Sequence, residues 1–567
     1  MDDAVQTAHA SPPVEPAGGR AAFAVLAMGA VLVVLAVVTW RDYELDRFYV
    51  PKELVLHATA AAAGLLSLRA FRRMAWSWID GLLLAYVALG VVSALLAQNG
   101  WLATRALAIT ASSLAIFWTA RVLHDAGRGR QVLAIVAVAV IAGAATSLLQ
   151  TYGVRSDFFS INRAPGGTLG NRNSIAHMAA FGLPVVLLLT LTARSIFTYL
   201  LGAVGSTLVV ATLVLTRSRA GWLGLAAVLV IFAGAVVVSA AVRRQALLRL
   251  LGIVALAGAG VAGAVLLPNN LRWVDDNPYL SSVRDVANYR EGSGAGRLVQ
   301  YRQTLKLAAS SPMLGVGPGN WAVAYPEHAV RRDPSLDTRE AGRTANPWPS
   351  SDWVAFAAER GFPALLLLVG ALAGIALASL RTLLNAGDDD DALHAVALLA
   401  TLAATVVAGL FDAVLLLALP ALLVWAALGA LWKPALRVTR AQRESTHVSG
   451  VSHVSGTAHV YERPPAREPL RGLPTVAAAF VLLVCLVGAL RSASQLAGMG
   501  IDANVDRVAW LDRGAIIDPG NYRLRVRLAR PGSGLPRERR CEHARAAADL
   551  YPSAAQARSL SRGCGTR

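Results

Sequence analysis

The chain has 567 residues, 55% of them apolar, with 53 lysines and arginines against 35 acidic residues and a formal net charge of +18. A mean hydropathy of +0.50 excludes an ordinary soluble enzyme. The basic residues are scattered over many loops without a nucleic-acid motif, which excludes a nucleic-acid binder as the source of the charge.

Apolar runs of about 20 residues, each long enough to cross roughly 30 Å of hydrocarbon, recur along the chain. They predict an all-α polytopic membrane protein with about thirteen transmembrane helices. Residues 1–20 form a short tail, and nine spans occupy residues 21–267. The first, Ala21 to Trp40, is too long for a signal peptide and precedes no small-residue cleavage site, so it is expected to stay on the chain. The second is Leu54 to Leu68. A loop at 268–351 separates these from three spans in 352–432: Phe362 to Leu384, Leu393 to Phe411 and Val414 to Trp432. A Ser-, His- and Arg-rich stretch at 433–474 with the near-repeat "HVSGVSHVSG" reads as a flexible linker rather than a metal site. The last span lies in 475–491, and 492–567 is a helical tail with one tetratricopeptide-like stretch that opens on Asp518 and Pro519.

Orientation comes from the loops. Arg69, Arg72 and Arg73, then Arg121, Arg128 and Arg130, then Arg194, then Arg243, Arg244 and Arg249, and finally Lys433, Arg437, Arg440 and Arg443 all follow even-numbered spans. By the positive-inside rule that side is cytoplasmic, which puts the amino terminus inside, the carboxy terminus outside and the large loop in the periplasm. The acidic residues Asp2, Asp3 and Glu15 and the run Asp388 to Asp391 oppose this, but acids count for little in the rule. Cys541 and Cys564 then share an oxidising compartment and are expected to pair, with two free thiols as the alternative.

Five arginines fall on the outer side, where positive charge is scarce: Arg163, Arg172, Arg217, Arg219 and Arg297. In "GVRSDFFSINRAPGGTLGNRN", Arg163, Asn171 and Arg172 flank glycines that would let backbone amides approach a ligand. "LTRSRAGWLGL" is a tight outer hairpin carrying Arg217 and Arg219. "GRLVQYRQTLKLAASSPMLGVGPGNW" predicts a helix over Gly296 to Ser310 that bears Arg297, ended by Pro312 and a glycine turn. Guanidinium groups in such a set are receptors for phosphate or pyrophosphate, and lipid phosphate is the competing partner.

The order of these strings, followed by "WPSSDWVAFAAERGFPALLL" and preceded by "RFYVPKELVL" with Pro51 and Lys52, resembles the O-antigen ligase and polymerase superfamily of bacterial membrane glycosyltransferases over roughly residues 20–430. The resemblance implies an inner-membrane enzyme that needs no metal or cofactor. It implies transfer of a glycan from an undecaprenyl-pyrophosphate carrier to another glycan, to lipid A core or to a protein hydroxyl. Arg219 with Leu223 matches the family's Arg-x-x-x-Leu element and Arg297 its loop arginine, the expected pyrophosphate clamp, with Arg163, Arg172, Arg217, Asn171 and Lys52 at its rim. Where the family has a histidine this chain has Ser350, followed by Ser351 and, at the end of the same motif, Gly361.

Serine is no base near neutral pH, so the proton acceptor for the acceptor hydroxyl has to be sought elsewhere. Asp352 is the expected replacement, with a helix-capping role as the alternative. Glu359, two turns on, is expected to pair with a loop arginine. His328 and His177 are the other candidates, His177 reading more readily as a packed histidine within the sixth span. A transporter of lipid-linked sugars or a non-catalytic assembly scaffold is the rival class. Few ionisable residues fall in the span centres and no internal repeat is visible, both of which favour the enzyme.

Overall fold

The computed structural model describes residues 18–160, 162–274, 276–284, 292–386, 389–432 and 473–565. The first tail up to residue 17, Asp388 and residues 433–472 of the expected linker at 433–474, with its histidines, lie outside these. Most of the described residues are helical, and the one bridge pairing among them is the isolated Leu336 to Thr344.

The membrane-type helices are α1 (Gly19–Leu35), α2 (Asp46–Phe71), α3 (Trp78–Leu95), α4 (Gly100–Leu123), α5 (Gly129–Thr151), α6 (Arg172–Leu191), α7 (Ile196–Leu215), α8 (Arg219–Val238) and α9 (Ala240–Leu266). The large loop contributes α10 (Pro278–Arg284), α11 (Gly292–Ser310) and α12 (Trp321–Ala324). Beyond it come α13 (Asp352–Asn385), α14 (Asp389–Phe411), α15 (Ala418–Leu431) and α16 (Leu473–Asn504). The tail holds α17 (Val508–Ile517), α18 (Tyr522–Ala529), α19 (Arg537–Leu550) and α20 (Ala555–Arg562).

By length and apolarity, ten described stretches are able to cross a membrane. One of them, Gly100–Thr151, is α4 and α5 run together through a turn broken at Gly127, where φ is 79°. The expected first and twelfth spans are shorter helices, Gly19–Leu35 and Ala418–Leu431. Several boundaries differ from the sequence reading because helices continue beyond their apolar part. Pro51 and Lys52, expected in a loop, lie buried in the second turn of α2. The tenth span starts at Asp352 rather than Phe362, and the last runs on to Asn504. The tail helix opens at Tyr522, capped by the Asn521 side chain on the Leu524 amide, so Asp518 and Pro519 precede it.

α6 is the central helix: 89% of its apolar window is buried, against 11% for α9, which is peripheral. A helix apolar all round belongs in such a position. Close approach comes from small residues, since a Cβ on Gly221 or Gly224 of α8 would stand 2.6 or 3.0 Å from the methyls of Ala176 and Ala180 on α6. On one side of the bundle, Glu53 of α2 is ion-paired to Arg105 of α4 and lies 3.9 Å from Arg491 of α16. This buried triad ties the last long helix to the first part of the bundle.

The connections 36–45, 96–99 and 152–171, the large loop, the turn at 412–417 and the tail make up one face. Asn99 and Asn320 exchange hydrogen bonds at 2.8 and 3.1 Å, and the Asn270 amide donates to the Thr151 carbonyl at 2.9 Å. The tail packs against the large loop through the Ala555 amide on the Ala341 carbonyl, 2.8 Å, and through Arg343, whose guanidinium lies 4.4 and 4.8 Å from the rings of Tyr522 and Tyr551. Cys541 and Cys564 are joined in a disulfide that closes α19 and α20 on each other.

Candidate functional site

A polar cavity of about 390 Å³ opens on this face. Arg163, Arg172 and Arg297 line it together with Asn171, Ser350, His177 and Asp412, and Tyr49 and Trp348 meet edge to face in its wall with ring centroids 4.9 Å apart.

Three elements bring the arginines together. The loop before α6 folds so that the Arg172 amide donates to the Arg163 carbonyl at 3.0 Å. The Asn171 side chain caps α6 on the Asn173 amide, so the positive end of the α6 dipole faces the cavity. Arg297 comes from the first turns of α11. Its neighbours at three and four residues further on share that helix face. There the Ser350 amide donates to Gln300 Oε1 at 2.6 Å, and the Tyr301 hydroxyl lies 2.7 Å from the carbonyls of both Ser350 and Leu410. α11 is thereby pinned to the wall that carries Ser350 and to the end of α14.

The glycines of the 163–172 loop serve packing. The amides of Gly166 and Gly167 donate to Gln150 Oε1 at 2.9 and 2.8 Å, and a Cβ on Gly170 would stand 2.3 Å from the Phe48 ring. Those amides are committed to the protein itself, not presented to a ligand as the sequence suggested.

The other expected residues lie elsewhere. Asp352 is fully buried at the start of α13, and its two carboxylate oxygens accept from the amides of Val414 and Leu415, each at 2.9 Å. It holds the 412–417 turn and does not line the cavity. Glu359 is likewise buried, accepting from the amides of Gly319 at 2.8 Å and Trp321 at 3.3 Å. It braces the glycine turn instead of pairing with a loop arginine. Lys52 lies below the cavity, where its Nζ donates to the carbonyls of Ala36 and Thr168 at 2.6 and 2.9 Å. Arg217 is bonded to the hydroxyls of Ser282 and Ser281 at 2.8 and 3.2 Å and stacks on Trp273. Arg172 approaches the same indole, at 5.3 Å from its centroid. Arg219 opens α8, is itself engaged, and is not part of the cavity wall.

Two cavity residues stand out that sequence reasoning set aside or missed. His177 projects from the second turn of α6, 3% exposed, and its Nε2 has no hydrogen-bond partner. Asp412 Oδ2 lies 3.9 Å from that nitrogen and accepts from Asn173 Nδ2 at 3.0 Å. Asp412 sits between two apolar runs and reads as a mere span boundary; its proximity to Arg163, Arg172 and Arg297 follows only from the fold. Among the described residues, no three His, Cys, Asp or Glu side chains cluster as they would to hold a metal ion.

Compared with known families, residues 204–369 match the family model described as O-antigen ligase. The matched stretch takes in Arg217, Arg219, Arg297 and the Ser350 to Gly361 segment, and excludes Arg163, Arg172, His177 and Asp412. The search of curated proteins finds no match to the chain.

Proposed function

The chain carries an O-antigen ligase domain that places it in the O-antigen ligase and polymerase superfamily, and from that premise we propose that the cavity binds the pyrophosphate of an undecaprenyl-pyrophosphate-linked glycan. The protein transfers that glycan to a hydroxyl of a second glycan, of lipid A core or of a protein. The observation that carries the reading is the convergence of Arg163, Arg172 and Arg297 with the amino-terminal end of α6 on one polar cavity. Guanidinium groups and a helix amino terminus are suited to an anion whose charge grows as the glycosidic bond to pyrophosphate breaks.

In this reading the clamp is Arg163, Arg172 and Arg297 in place of the pair Arg219 and Arg297, because Arg217 is held by Ser281, Ser282 and Trp273 and Arg219 is not part of the cavity wall. The protein sits in the bacterial inner membrane with the cavity toward the periplasm and its amino terminus inside. Support comes from Arg128, Arg130, Arg194, Arg243, Arg244 and Arg249, which gather at the helix ends opposite the cavity, as the positive-inside rule asks.

Arg163→Ala and Arg297→Ala, expressed in a strain deleted for the native copy, are each expected to cut glycan transfer by about 10²- to 10³-fold, the cost of removing one charge-stabilising donor. Lipid-linked glycan should accumulate while the protein remains in the membrane. Surface glycan of normal length and amount in both variants would sink the reading. Gel analysis of lipid-linked and surface glycan decides the branch: single repeat units on the surface of the deletion strain indicate a lost polymerase, and polymer retained on its carrier a lost ligase.

A further inference from the structure

Two features of the cavity have no role in holding pyrophosphate. One is an anion, Asp412, placed among arginines that would otherwise be free to serve the donor. The other is the His177 Nε2, buried, without a hydrogen-bond partner, and 3.9 Å from Asp412 Oδ2. Ser350, which stands where a base is expected by resemblance, lines the same cavity. We infer that His177 is the proton acceptor for the acceptor hydroxyl, with Asp412 as its counter-charge: an imidazole carried by the central helix does the work that Ser350 cannot. The inference rests on the transfer reading above.

The step balances without a co-reactant. The acceptor oxygen forms a bond to the anomeric carbon as the bond from that carbon to the pyrophosphate oxygen breaks. The electron pair of the broken bond stays on the lipid pyrophosphate, where the arginines receive the charge, and the hydroxyl proton passes to His177 Nε2. The resulting imidazolium lies beside the Asp412 carboxylate, whose attraction offsets the opposing charge of Arg297, Arg172 and Arg163. Tyr49 of α2 is the other ionisable group in this wall, and Lys52 lines the neighbouring pocket that His177 also touches.

Asp412 itself is positioned from two sides. Its Oδ1 accepts from the Ala413 amide at 2.9 Å and its Oδ2 from Asn173, while Asp352 fixes the following amides of the turn. A carboxylate restrained in this way holds its distance from the imidazole. The carboxylate chosen from sequence is thus a positioning residue for the one beside the histidine.

The test uses the full chain in membranes of the native host, with endogenous lipid-linked glycan as donor and transfer rate followed from pH 5.5 to 9. His177→Gln is expected to lose 10²- to 10⁴-fold in rate and, with it, the acid limb on which the parent rate falls as imidazole protonates. Asp412→Asn preserves shape and removes the charge that favours imidazolium, so its acid limb should move to lower pH; a purely structural role would lower the rate without moving the limb. His177→Gln with a rate within threefold of the parent and an unaltered acid limb overturns the proposal. Should His177→Gln fail to reach the membrane, an unshifted limb in Asp412→Asn overturns it instead. Arg297→Ala run alongside separates the two claims: if it is inactive while His177→Gln is normal, the base is wrong and the pyrophosphate reading stands, and if both are normal, both fall.

Discussion

A carboxylate in a candidate active site has two ways to be occupied, by substrate or by backbone. Asp352 and Glu359 are both taken by backbone, each receiving two main-chain amides in a buried setting. Charge-assisted bonds of this kind contribute about 1.5–3 kcal/mol each, and a buried donor left unpaired costs a comparable amount. Asp352→Asn replaces one accepting oxygen by an NH₂ group that confronts an amide N–H. It is expected to destabilise the protein by about 2–3 kcal/mol, seen as earlier thermal unfolding in detergent. If Asp352 were the base instead, the variant would unfold at the parental temperature and lose activity alone. This explains why sequence reasoning chose it: a carboxylate near a motif looks like a base when its amide partners, 62 and 63 residues away in the chain, are invisible. Arg163, Arg172 and Arg297, which line one cavity, drew attention because positive charge on the expected outer side conflicts with a strong general rule. Asp412 breaks no rule and carried no signal, while His177 was a candidate that read more readily as a packed histidine.

Helices in a bilayer are legible from length and apolarity, and most spans were readable for that reason. Their extensions were not, because a helix that continues past its apolar part and packs on protein keeps its hydrogen bonds but loses its apolar signature; α2, α13 and α16 are such cases. α13 also contains a break that a hydropathy profile cannot see. Gly361 has φ 79° and ψ 166°, a region open in practice only to glycine, and a Cβ there would stand 2.3 Å from the Met313 carbonyl oxygen. Across this break the Phe362 amide donates to Pro312 and the Val316 and Gly317 amides to Ala358 and Glu359. The "GVGPGN" turn and the "AERGFP" segment are therefore two halves of one joint between the loop and the bundle. Gly361→Ala is expected to cost several kcal/mol through backbone strain and overlap combined. The measurement is the amount of folded, monodisperse protein recovered in detergent; parental recovery would show that the joint tolerates a side chain.

At the scale of the molecule, the tail and the large loop form one body over the cavity face. Tyr43, Asp502 and Asn521 form a buried hydrogen-bonded group where the tail meets the first connection, the Tyr43 hydroxyl donating to Asp502 at 2.8 Å and Asn521 to Tyr43 at 3.0 Å. Asp518 lies next to it, 1% exposed, and burial pushes its carboxyl up to about 7. An acid whose folded value is raised above its unfolded one is stabilised in the folded state by its proton. Docking of the tail should therefore be tightest at low pH and weaken as pH rises from about 4 through about 7. Limited proteolysis of the tail at pH 5 and pH 8 measures this, and Asp518→Asn should remove the difference; equal protection of the parent at both pH values would refute it.

The contact between Ala341 and Ala555 has a consequence in time. Residues 334–345 lead directly into Asn346, Trp348 and Ser350 of the cavity wall, and their outer side rests on the tail, where a Cβ on Gly342 would overlap the Ser553 carbonyl. The two partners are roughly 200 residues apart, which at ~5–20 residues per second leaves some tens of seconds of synthesis between them. Throughout that interval the wall opposite the cavity arginines has nothing behind it. The wall gains its backing only when the last helices have been made, so assembly of this site is a late event in the life of the polypeptide.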